Sequence, residues 1–311
     1  MNNNRSTAAL MVIASAVLWG SYGSFVTVLT TMGLSGNALV FLRTLATSLP
    51  VGVLMLCRDR EAFRLRLADI PLFFANGLCS LLFFTFCYTA AIKVTIIATA
   101  AALLYTAPAI VMVLSAILFG ERLHARKVFS CLLAVVGCAF ASGLGGELFA
   151  GAGAAAAGTD GVPAAGAPFT LTGLLLGLGA GLGYALYSIF SRMILNRGYS
   201  VYTNVFYSFG IAMIGFLALS CAEGSVGQVF ERPARTALAL LCGLLTGSLA
   251  YVLYTAGMKG METSRAAQLT TIEPVTAAIL GFVLFHQPLS VWEIAGIIMV
   301  VGSVILMNAG D

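Results

Sequence analysis

Long apolar runs, separated by short charged or Gly- and Pro-containing breaks, dominate the chain. Ten of these runs approach the roughly 20 residues that a helix needs to cross bilayer hydrocarbon. They are residues 8–31, 34–57, 71–92, 96–119, 126–143, 171–191, 203–221, 236–258, 266–285 and 291–308. Only 9% of the 311 residues are charged, against about a quarter in soluble domains, and the mean hydropathy is +0.99. The pattern predicts an all-α integral membrane protein with ten transmembrane helices and excludes two separate soluble domains.

The basic residues predict the orientation of these helices. With the N-terminus in the cytoplasm, twelve of the 16 Lys and Arg residues fall on the cytoplasmic side, three (Lys93, Arg232 and Arg235) fall outside, and Arg43 lies within a span. Cytoplasmic loops are enriched in basic residues. We therefore expect both termini to be cytoplasmic, in a cytoplasmic (inner or plasma) membrane. The first run is longer than the apolar region of a signal peptide and precedes further spans, so it is predicted to be a transmembrane helix.

Several classes of chemistry lack support in the sequence. The seven cysteines lie mostly in apolar runs and form neither a CxxC motif nor a Cys/His cluster at metal spacing, which indicates small packing residues. The sequence has no nucleotide-binding loop and no nucleophile constellation. It therefore predicts a protein that is not an enzyme, has no metal or cofactor, and does not bind nucleic acid.

The two halves of the chain are similar to each other. When residues 71–123 are shifted by 166 positions, 15 of 53 residues match, and Pro108 aligns with Pro274. Between the copies lies a Gly-, Ala- and Pro-rich segment, 144–170, which we predict to be a flexible extracytoplasmic linker joining a repeat at 1–143 to a repeat at 171–311. Five is an odd number of spans, so the second copy must enter the membrane inverted. Many secondary transporters have this plan, with the substrate near the midplane and alternating access by rocking.

Four stretches of this sequence resemble the EamA branch of the drug/metabolite transporter superfamily. They are LWGSYGSF (18–25), FLRTLA (41–46), LLYTAPAIVMVLSAILFGERL (103–123) and IEPVTAAILGFVLF (272–285). The resemblance covers nearly the whole chain. It implies ten helices in two inverted five-helix repeats that move amino acids and other small metabolites, and the expectation of export rests on it alone. The second copy departs from the motif, because it reads FHQPL (285–289) where the first reads FGERL (119–123).

Two ionisable side chains lie well inside predicted spans. At 1.5 Å per residue, Arg43 is roughly 13 Å into the second span and Glu273 roughly 12 Å into the ninth. Their counterparts in the other repeat are Ser208 and Ala107. An unpaired charge at this depth costs about 2.5 to 3.5 kcal/mol on insertion scales. Such a charge should therefore face a polar cavity, a partner or bound substrate.

The two charges allow several readings. A zwitterion could place its carboxylate near Arg43 and its ammonium near Glu273, which would make both residues substrate ligands. Arg43 could instead pair with backbone carbonyls and hold helices together. Glu273 could be a protonated carboxyl that stabilises a bend or exchanges protons, and a direct ion pair between the two residues explains the same facts.

Other polar and aromatic residues on the same segments are further candidates for substrate binding. They are Trp19, Tyr22, Tyr88, Tyr105, Tyr184, Tyr187, Tyr254 and Gln268. For any one of them, a place in the core or in an interfacial belt is the alternative. Pro108 and Pro274 are predicted to bend their helices and to free the carbonyls of Leu104 and Thr270, and they could do so either beside a binding site or for packing alone.

The sequence thus predicts a secondary transporter for small polar metabolites, with amino acids or related compounds first, working by alternating access and exporting. The runner-up is a carrier for nonpeptide metabolites or cationic amphiphiles, which Tyr, Trp and Glu273 could also hold. A non-transporting membrane scaffold or receptor is the third reading, and polar groups at the midplane weigh against it. The expected partners are a small-molecule substrate and membrane lipid, and the sequence does not define an oligomeric state.

Overall fold

The computed structural model describes residues 2–149 and 171–308, and the regular elements of these two ranges are all helical. The α-helices of these ranges are α1 (Asn2–Gly20), α2 (Tyr22–Thr31), α3 (Gly36–Arg58), α4 (Ile70–Ala75), α5 (Phe83–Val94), α6 (Ile97–Leu104), α7 (Ala107–Phe119), α8 (Ala125–Ala141), α9 (Leu144–Phe149), α10 (Leu171–Asn196), α11 (Val201–Ala222), α12 (Gln228–Glu231), α13 (Pro233–Gly243), α14 (Ala250–Met258), α15 (Thr263–Leu269), α16 (Ile272–Phe285) and α17 (Val291–Asn308).

These helices confirm the predicted membrane architecture. Within the described ranges, eight continuous helical segments are long and apolar enough to cross a membrane. They are Ser6–Thr31, Gly36–Arg58, Leu67–Val94, Ile97–Phe119, Leu171–Asn196, Val201–Ala222, Pro233–Met258 and Thr263–Phe285. The two remaining predicted spans correspond to α8 and α17, which are shorter helices of 17 and 18 residues. The fold is the all-α membrane protein of two five-helix repeats that the sequence predicts.

Two spans contain a π-helical segment at corresponding places in the repeats. Residues Asn76–Leu82 join α4 to α5, and residues Leu244–Leu249 join α13 to α14. The shift of 166 that aligns the sequences carries 76–82 onto 242–248, so the two segments overlap. π-Helical turns are rare and occur frequently at functional sites.

Two other spans are interrupted next to a proline. The fourth span breaks between Leu104 and Ala107, and Pro108 lies in the first turn of α7. The ninth breaks between Leu269 and Ile272, and Pro274 follows in α16. Proline is tolerated in the first turn of a helix, where the amide that it lacks would have no intrahelical partner.

The prediction that the Thr270 carbonyl is free is wrong. The amide of Glu273 donates to this oxygen at 2.9 Å. The prediction assumed an uninterrupted helix in which only Pro274 could reach the Thr270 carbonyl. Because the chain turns at Thr270 and Thr271 instead, a tighter three-residue bond forms before the proline.

The start of the predicted linker is structured. Leu144–Phe149 forms α9, whereas residues 150–170, which hold the rest of the linker, lie outside the described residues.

The chain divides into two compact units that do not coincide with the sequence repeats. The first unit contains Met1–Leu82 and Leu186–Met261, and the second contains Phe83–Ala185 and Glu262–Asp311. Each unit contains a portion of each repeat. One of the boundaries between the units lies inside α10, between Ala185 and Leu186. We describe each unit separately.

Two equivalent helix crossings organise the first unit. A Cβ atom built on Gly77 would lie 2.9 Å from the Ser208 carbonyl oxygen of α11. A Cβ atom on Gly243 would lie 2.9 Å from the Arg43 carbonyl oxygen of α3. Gly77 and Gly243 align in the repeats, and so do Ser208 and Arg43. The second span of the first repeat, α3, therefore packs on Gly243 of the second repeat. The second span of the second repeat, α11, packs on Gly77 of the first.

Glycines also allow close packing in the second unit. A Cβ atom on Gly296 of α17 would lie 2.3 Å from the Ala141 amide nitrogen and 2.6 Å from the Gly137 carbonyl oxygen of α8. Gly181 of α10 also lies close to a neighbouring backbone, since an added Cβ would be 2.9 Å from the Leu103 carbonyl oxygen. Only glycine allows backbones to approach this closely.

Candidate functional site

The structure divides the predicted site residues into two groups, one inside each compact unit. The Arg43 group in the first unit comprises Trp19, Tyr22, Arg43, Tyr187 and Tyr254. The Glu273 group in the second unit comprises Tyr88, Tyr105, Tyr184, Gln268 and Glu273.

Arg43 is partly buried between α3 and the second π-helical segment. Its Nη2 donates to the Thr246 carbonyl oxygen at 3.0 Å, and its Nε donates to Thr246 Oγ1 at 3.2 Å. Its Cζ lies 4.3 Å from the ring centre of Tyr22 and 6.0 Å from that of Tyr251. A guanidinium over aromatic faces is attracted by the ring quadrupoles. The alternative in which Arg43 pairs with a backbone carbonyl is therefore present, and the same contacts hold the guanidinium in a fixed position.

The aromatic members of the Arg43 group form a packed cluster. The ring centre of Trp19 lies 5.1 Å from that of Tyr254 and 4.8 Å from that of Tyr251, and Tyr187 lies 4.9 Å from Tyr251. Each of these four side chains is at most 7% exposed. Tyr22 is separated from Trp19 by the break at Ser21 and contacts Arg43 instead. Such edge-to-face pairs stabilise by about 0.5 to 1.5 kcal/mol each, so the cluster is a rigid support for Tyr251 and Arg43.

A buried polar network in the first unit was not predicted from the sequence. Asn76 Nδ2 donates to Asn204 Oδ1 at 3.0 Å and to Ser208 Oγ at 2.8 Å. Asn204 Nδ2 donates to Ser191 Oγ at 2.9 Å, and Ser80 Oγ donates to Asn76 Oδ1 at 2.9 Å. All five residues are at most 1% exposed. Two asparagines inside apolar runs were an available signal, because a buried amide without partners is costly.

In the second unit, Glu273 lies in the first turn of α16, immediately after the helix break. Tyr184 OH donates to Glu273 Oε2 at 2.9 Å. Tyr105, which lies in the break between α6 and α7, is a second close neighbour of the carboxyl group. The positive end of the helix dipole also favours a carboxylate at this place. The site therefore combines an embedded acid with a directed hydroxyl donor.

Tyr88 and Gln268 complete the Glu273 group. Phe84 stacks on Tyr88 with ring centres 5.9 Å apart and meets Tyr184 edge to face at 5.8 Å. Gln268 is 2% exposed, and its Oε1 accepts from Ser130 Oγ at 3.4 Å. Its Nε2 has no hydrogen-bond partner among the described residues. A buried amide donor without a partner can donate to a ligand, since leaving it unpaired costs free energy.

Glu121 lies in the loop that follows α7, and its side chain caps α15. Its carboxylate accepts from the amides of Thr263 at 2.6 Å and Ser264 at 3.2 Å, and from Lys127 Nζ at 3.3 Å. Burial raises the pKa of Glu121, but hydrogen bonds from Ser264 and Thr263 and the charge of Lys127 outweigh it and leave the pKa below its ordinary value. Glu121 is therefore an ionised structural group in the loop that follows α7.

Two helical repeats with charged side chains inside the spans are typical of membrane transporters. The model of the EamA-like transporter family matches residues 6–143 and 171–309. The chain therefore belongs to that family.

Relatives agree with this assignment. The chain is 28% identical over 219 residues to an "Uncharacterized transporter" of Archaeoglobus fulgidus, covering 70% of each chain. It is 25% identical over 267 residues to the "Uncharacterized transporter YetK" of Bacillus subtilis, covering 85% of this chain and 75% of that one. A solved crystal structure of a protein shares the fold, with a TM-score of 0.75, 19% identity and coverage of 98% of this chain and 97% of that chain. The chain is a multi-pass membrane protein of a transporter family.

Proposed function

We propose that this protein is a secondary transporter that moves small polar metabolites, amino acids or related compounds, across the cytoplasmic membrane by alternating access, in the direction of export. The observation that carries the proposal is the presence of two opposite charges within the spans, each held by hydroxyl and aromatic groups. Arg43 lies against Thr246 and Tyr22, and Glu273 lies against Tyr184. Embedded ionisable groups of this kind mark substrate and ion pathways.

Arg43 is proposed to recognise the substrate carboxylate. Thr246 occupies Nε and Nη2, and the aromatic cluster around Tyr251 fixes the guanidinium plane. A fixed guanidinium can bind a carboxylate through two parallel hydrogen bonds, which is stronger and more specific than a point charge.

Glu273 is proposed to recognise the substrate ammonium group. Tyr184 holds one carboxylate oxygen, and the carboxylate supplies the acceptor oxygens that an ammonium group requires. Each charge has its own role and its own test, so the proposal does not require both to contact one molecule at the same time.

The experiment is counterflow in proteoliposomes loaded with a mixed amino-acid pool, followed with labelled tracers. Arg43→Gln removes the charge, and Arg43→Lys keeps it without the planar fork. Glu273→Gln and Tyr184→Phe test the second group. Tyr207→Phe is the matched control, because Tyr207 donates to the Phe63 carbonyl at 2.7 Å in the first unit, and neither residue is in a predicted site.

A charged hydrogen bond contributes about 1.5 to 3 kcal/mol, so Arg43→Gln is expected to raise the substrate KM by about 10- to 100-fold. Arg43→Lys is expected to recover part of this loss, and Tyr207→Phe is expected to behave as wild type. Tracer uptake retained by both Arg43→Ala and Glu273→Ala would refute the binding roles. Export predicts that inside-out vesicles accumulate the tracer.

A second candidate substrate class has specific support in the second unit. Phe84, Tyr88 and Tyr184 form a continuous set of ring contacts that ends at the Glu273 carboxylate. Aromatic faces beside a carboxylate suit a cationic amphiphile or another nonpeptide metabolite. Counterflow of a lipophilic cation that requires Glu273 but not Arg43, in the absence of amino-acid flux, would favour this class.

A further inference from the structure

A cavity of about 420 Å³ opens in the first unit at one end of four spans. Its walls come from residues 59–66 and 197–203. Residues 59–66 lie between the spans that end at Arg58 and begin at Leu67, and residues 197–200 lie between those that end at Asn196 and begin at Val201; Thr203 is in the first turn of the latter. The cavity therefore lies just outside the hydrocarbon-spanning segments, at the depth of lipid headgroups.

The cavity walls are held in place by hydrogen bonds and by one ion pair. Asp69, 7% exposed, accepts from Tyr199 OH at 2.7 Å and pairs with Arg197. The Arg66 amide donates to the same Tyr199 hydroxyl at 3.1 Å. Thr203 Oγ1 also donates to the Ala62 carbonyl at 2.9 Å. The backbone that carries Arg66 is thus fixed against the turn between α10 and α11.

Three guanidinium groups line this cavity, those of Arg64, Arg66 and Arg197, together with the carboxylates of Asp59 and Glu61. Asp59 accepts from the Ala62 amide at 3.3 Å and caps the short helical turn that follows. Glu61 pairs with Arg64 at 3.3 Å, but both side chains are 82% exposed. Such an exposed pair contributes at most about 1 kcal/mol, so a phosphate can replace it.

An apolar side chain adjoins these charges. Leu67 follows Arg66 directly, begins the next span and is 85% exposed. A free phosphate has no apolar surface to pack against this leucine, whereas the first methylenes of a lipid acyl chain would cover it. The same loop therefore offers a charged contact to a headgroup and an apolar contact just below it.

We propose that this cavity binds the phosphate-bearing headgroup of an anionic phospholipid, with Arg64 and Arg66 contacting the phosphate and Leu67 contacting the acyl chain. Two guanidinium groups can each offer paired N–H donors to phosphate oxygens. Basic residues beside transmembrane ends attract anionic lipids by about 1 kcal/mol each. The proposal does not depend on the identity of the transported substrate.

The experiment measures lipid selectivity on the full-length protein in nanodiscs made from equal parts phosphatidylglycerol and phosphatidylcholine. Lipids retained after transfer to detergent are quantified by mass spectrometry. The test variant is Arg64→Gln with Arg66→Gln. The matched control is Arg122→Gln with Arg126→Gln, two exposed arginines of which the first lies in the loop after α7 and the second in the first turn of α8. Both pairs lie on the predicted cytoplasmic face.

Retention of phosphatidylglycerol over phosphatidylcholine is expected in wild type and in the control. Loss of two charges is expected to reduce this preference by about 30-fold in the test variant. Leu67→Ser is expected to weaken retention of the lipid while leaving all three arginines in place. The wild-type comparison needs no variant, so misfolding of a variant does not remove the test.

Three outcomes would overturn the proposal. Equal retention of the two lipids by wild type would mean that no selective site exists. An equal loss in the control pair would mean that the basic face attracts anions generally. Full competition by soluble glycerol phosphate, with no effect of Leu67→Ser, would identify a free-anion site in place of a lipid site.

Discussion

The Glu121 cap offers the sharpest test of the second unit. In Glu121→Gln the side chain keeps its size but loses its charge. The carboxylate is 8% exposed and accepts from two α15 amides, from Ser115 Oγ at 3.1 Å and from Lys127. Lys127 keeps its bond to Glu262 at 2.7 Å in the variant, so the lysine is not left unpaired.

The expected cost follows from these contacts. Weakened capping of a helix costs about 1 kcal/mol, and the loss of charge-assisted hydrogen bonds adds about 2 kcal/mol. We therefore expect Glu121→Gln to lower the free energy of unfolding of the second unit by about 3 kcal/mol. Gln287→Ala is the matched control. Gln287 is the repeat counterpart of Glu121, and it is exposed.

The two tryptophans of the chain make the assay specific for each unit. Trp292 lies in the second unit, with its ring centre 5.7 Å from that of Phe140, and Trp19 lies in the first unit. Denaturation in detergent is followed by fluorescence in a Trp19→Phe background, where only Trp292 reports. A loss below about 1 kcal/mol, or one no larger than that of Gln287→Ala, would refute the capping argument.

Three further outcomes are expected. The pKa of Glu121 is lowered, so its stabilisation is complete above the ordinary Glu pKa of about 4.3 and is lost as pH falls through the lower folded-state pKa. The difference in free energy of unfolding between wild type and Glu121→Gln should therefore be constant from about pH 6 to 8 and should shrink as pH falls below about 4.3. Gly296→Val should reduce the yield of folded protein in size-exclusion chromatography, since its Cβ meets Ala141 at 2.3 Å, whereas Gly302→Val, with open space around it, should not. Asn76→Ala should lower the free energy of unfolding by about 2 kcal/mol, measured by thermal unfolding, because Asn204 and Ser208 each lose a buried hydrogen-bond partner.

The ten spans could be predicted because each needs only length and apolar content. The proline-linked interruptions were partly predictable, since Pro108 and Pro274 cannot complete a helical hydrogen bond to Leu104 and Thr270. The position of each break, before the proline and not at it, depends on how the chain turns at residues such as Thr270. That local geometry leaves no trace in the apolar pattern.

The π-helical segments could not be predicted from the sequence. A helix that is apolar around most of its surface has no periodicity that one extra residue per turn would disturb. The matching residues Gly77 and Gly243 were visible as repeat partners, but their role appears only when Ser208 and Arg43 are seen packed against them.

The candidate site was predictable in its residues but not in its grouping. Tyr184 and Tyr187 are three residues apart on one helix, a spacing that places them on neighbouring positions of the same face. In the structure, Tyr184 donates a hydrogen bond to Glu273 in the second unit, whereas the ring of Tyr187 packs against Tyr251 and Tyr254 in the first. Long-range packing decides which face of α10 meets which neighbour, and sequence spacing does not contain that information.

Comparison of the repeats separates what the fold requires from what function can use. Both crossings of the first unit keep a glycine against a carbonyl, and a π-helical segment contains or directly follows that glycine. These shared features are the ones that close packing demands. The polar side chains at the crossings differ. One presents a guanidinium bound to Thr246, whereas the other carries Ser208 within a neutral amide network. A symmetric scaffold would gain nothing from placing a costly charge at only one of two equivalent positions. The asymmetry of Arg43 therefore supports the proposal that this residue recognises an anionic group.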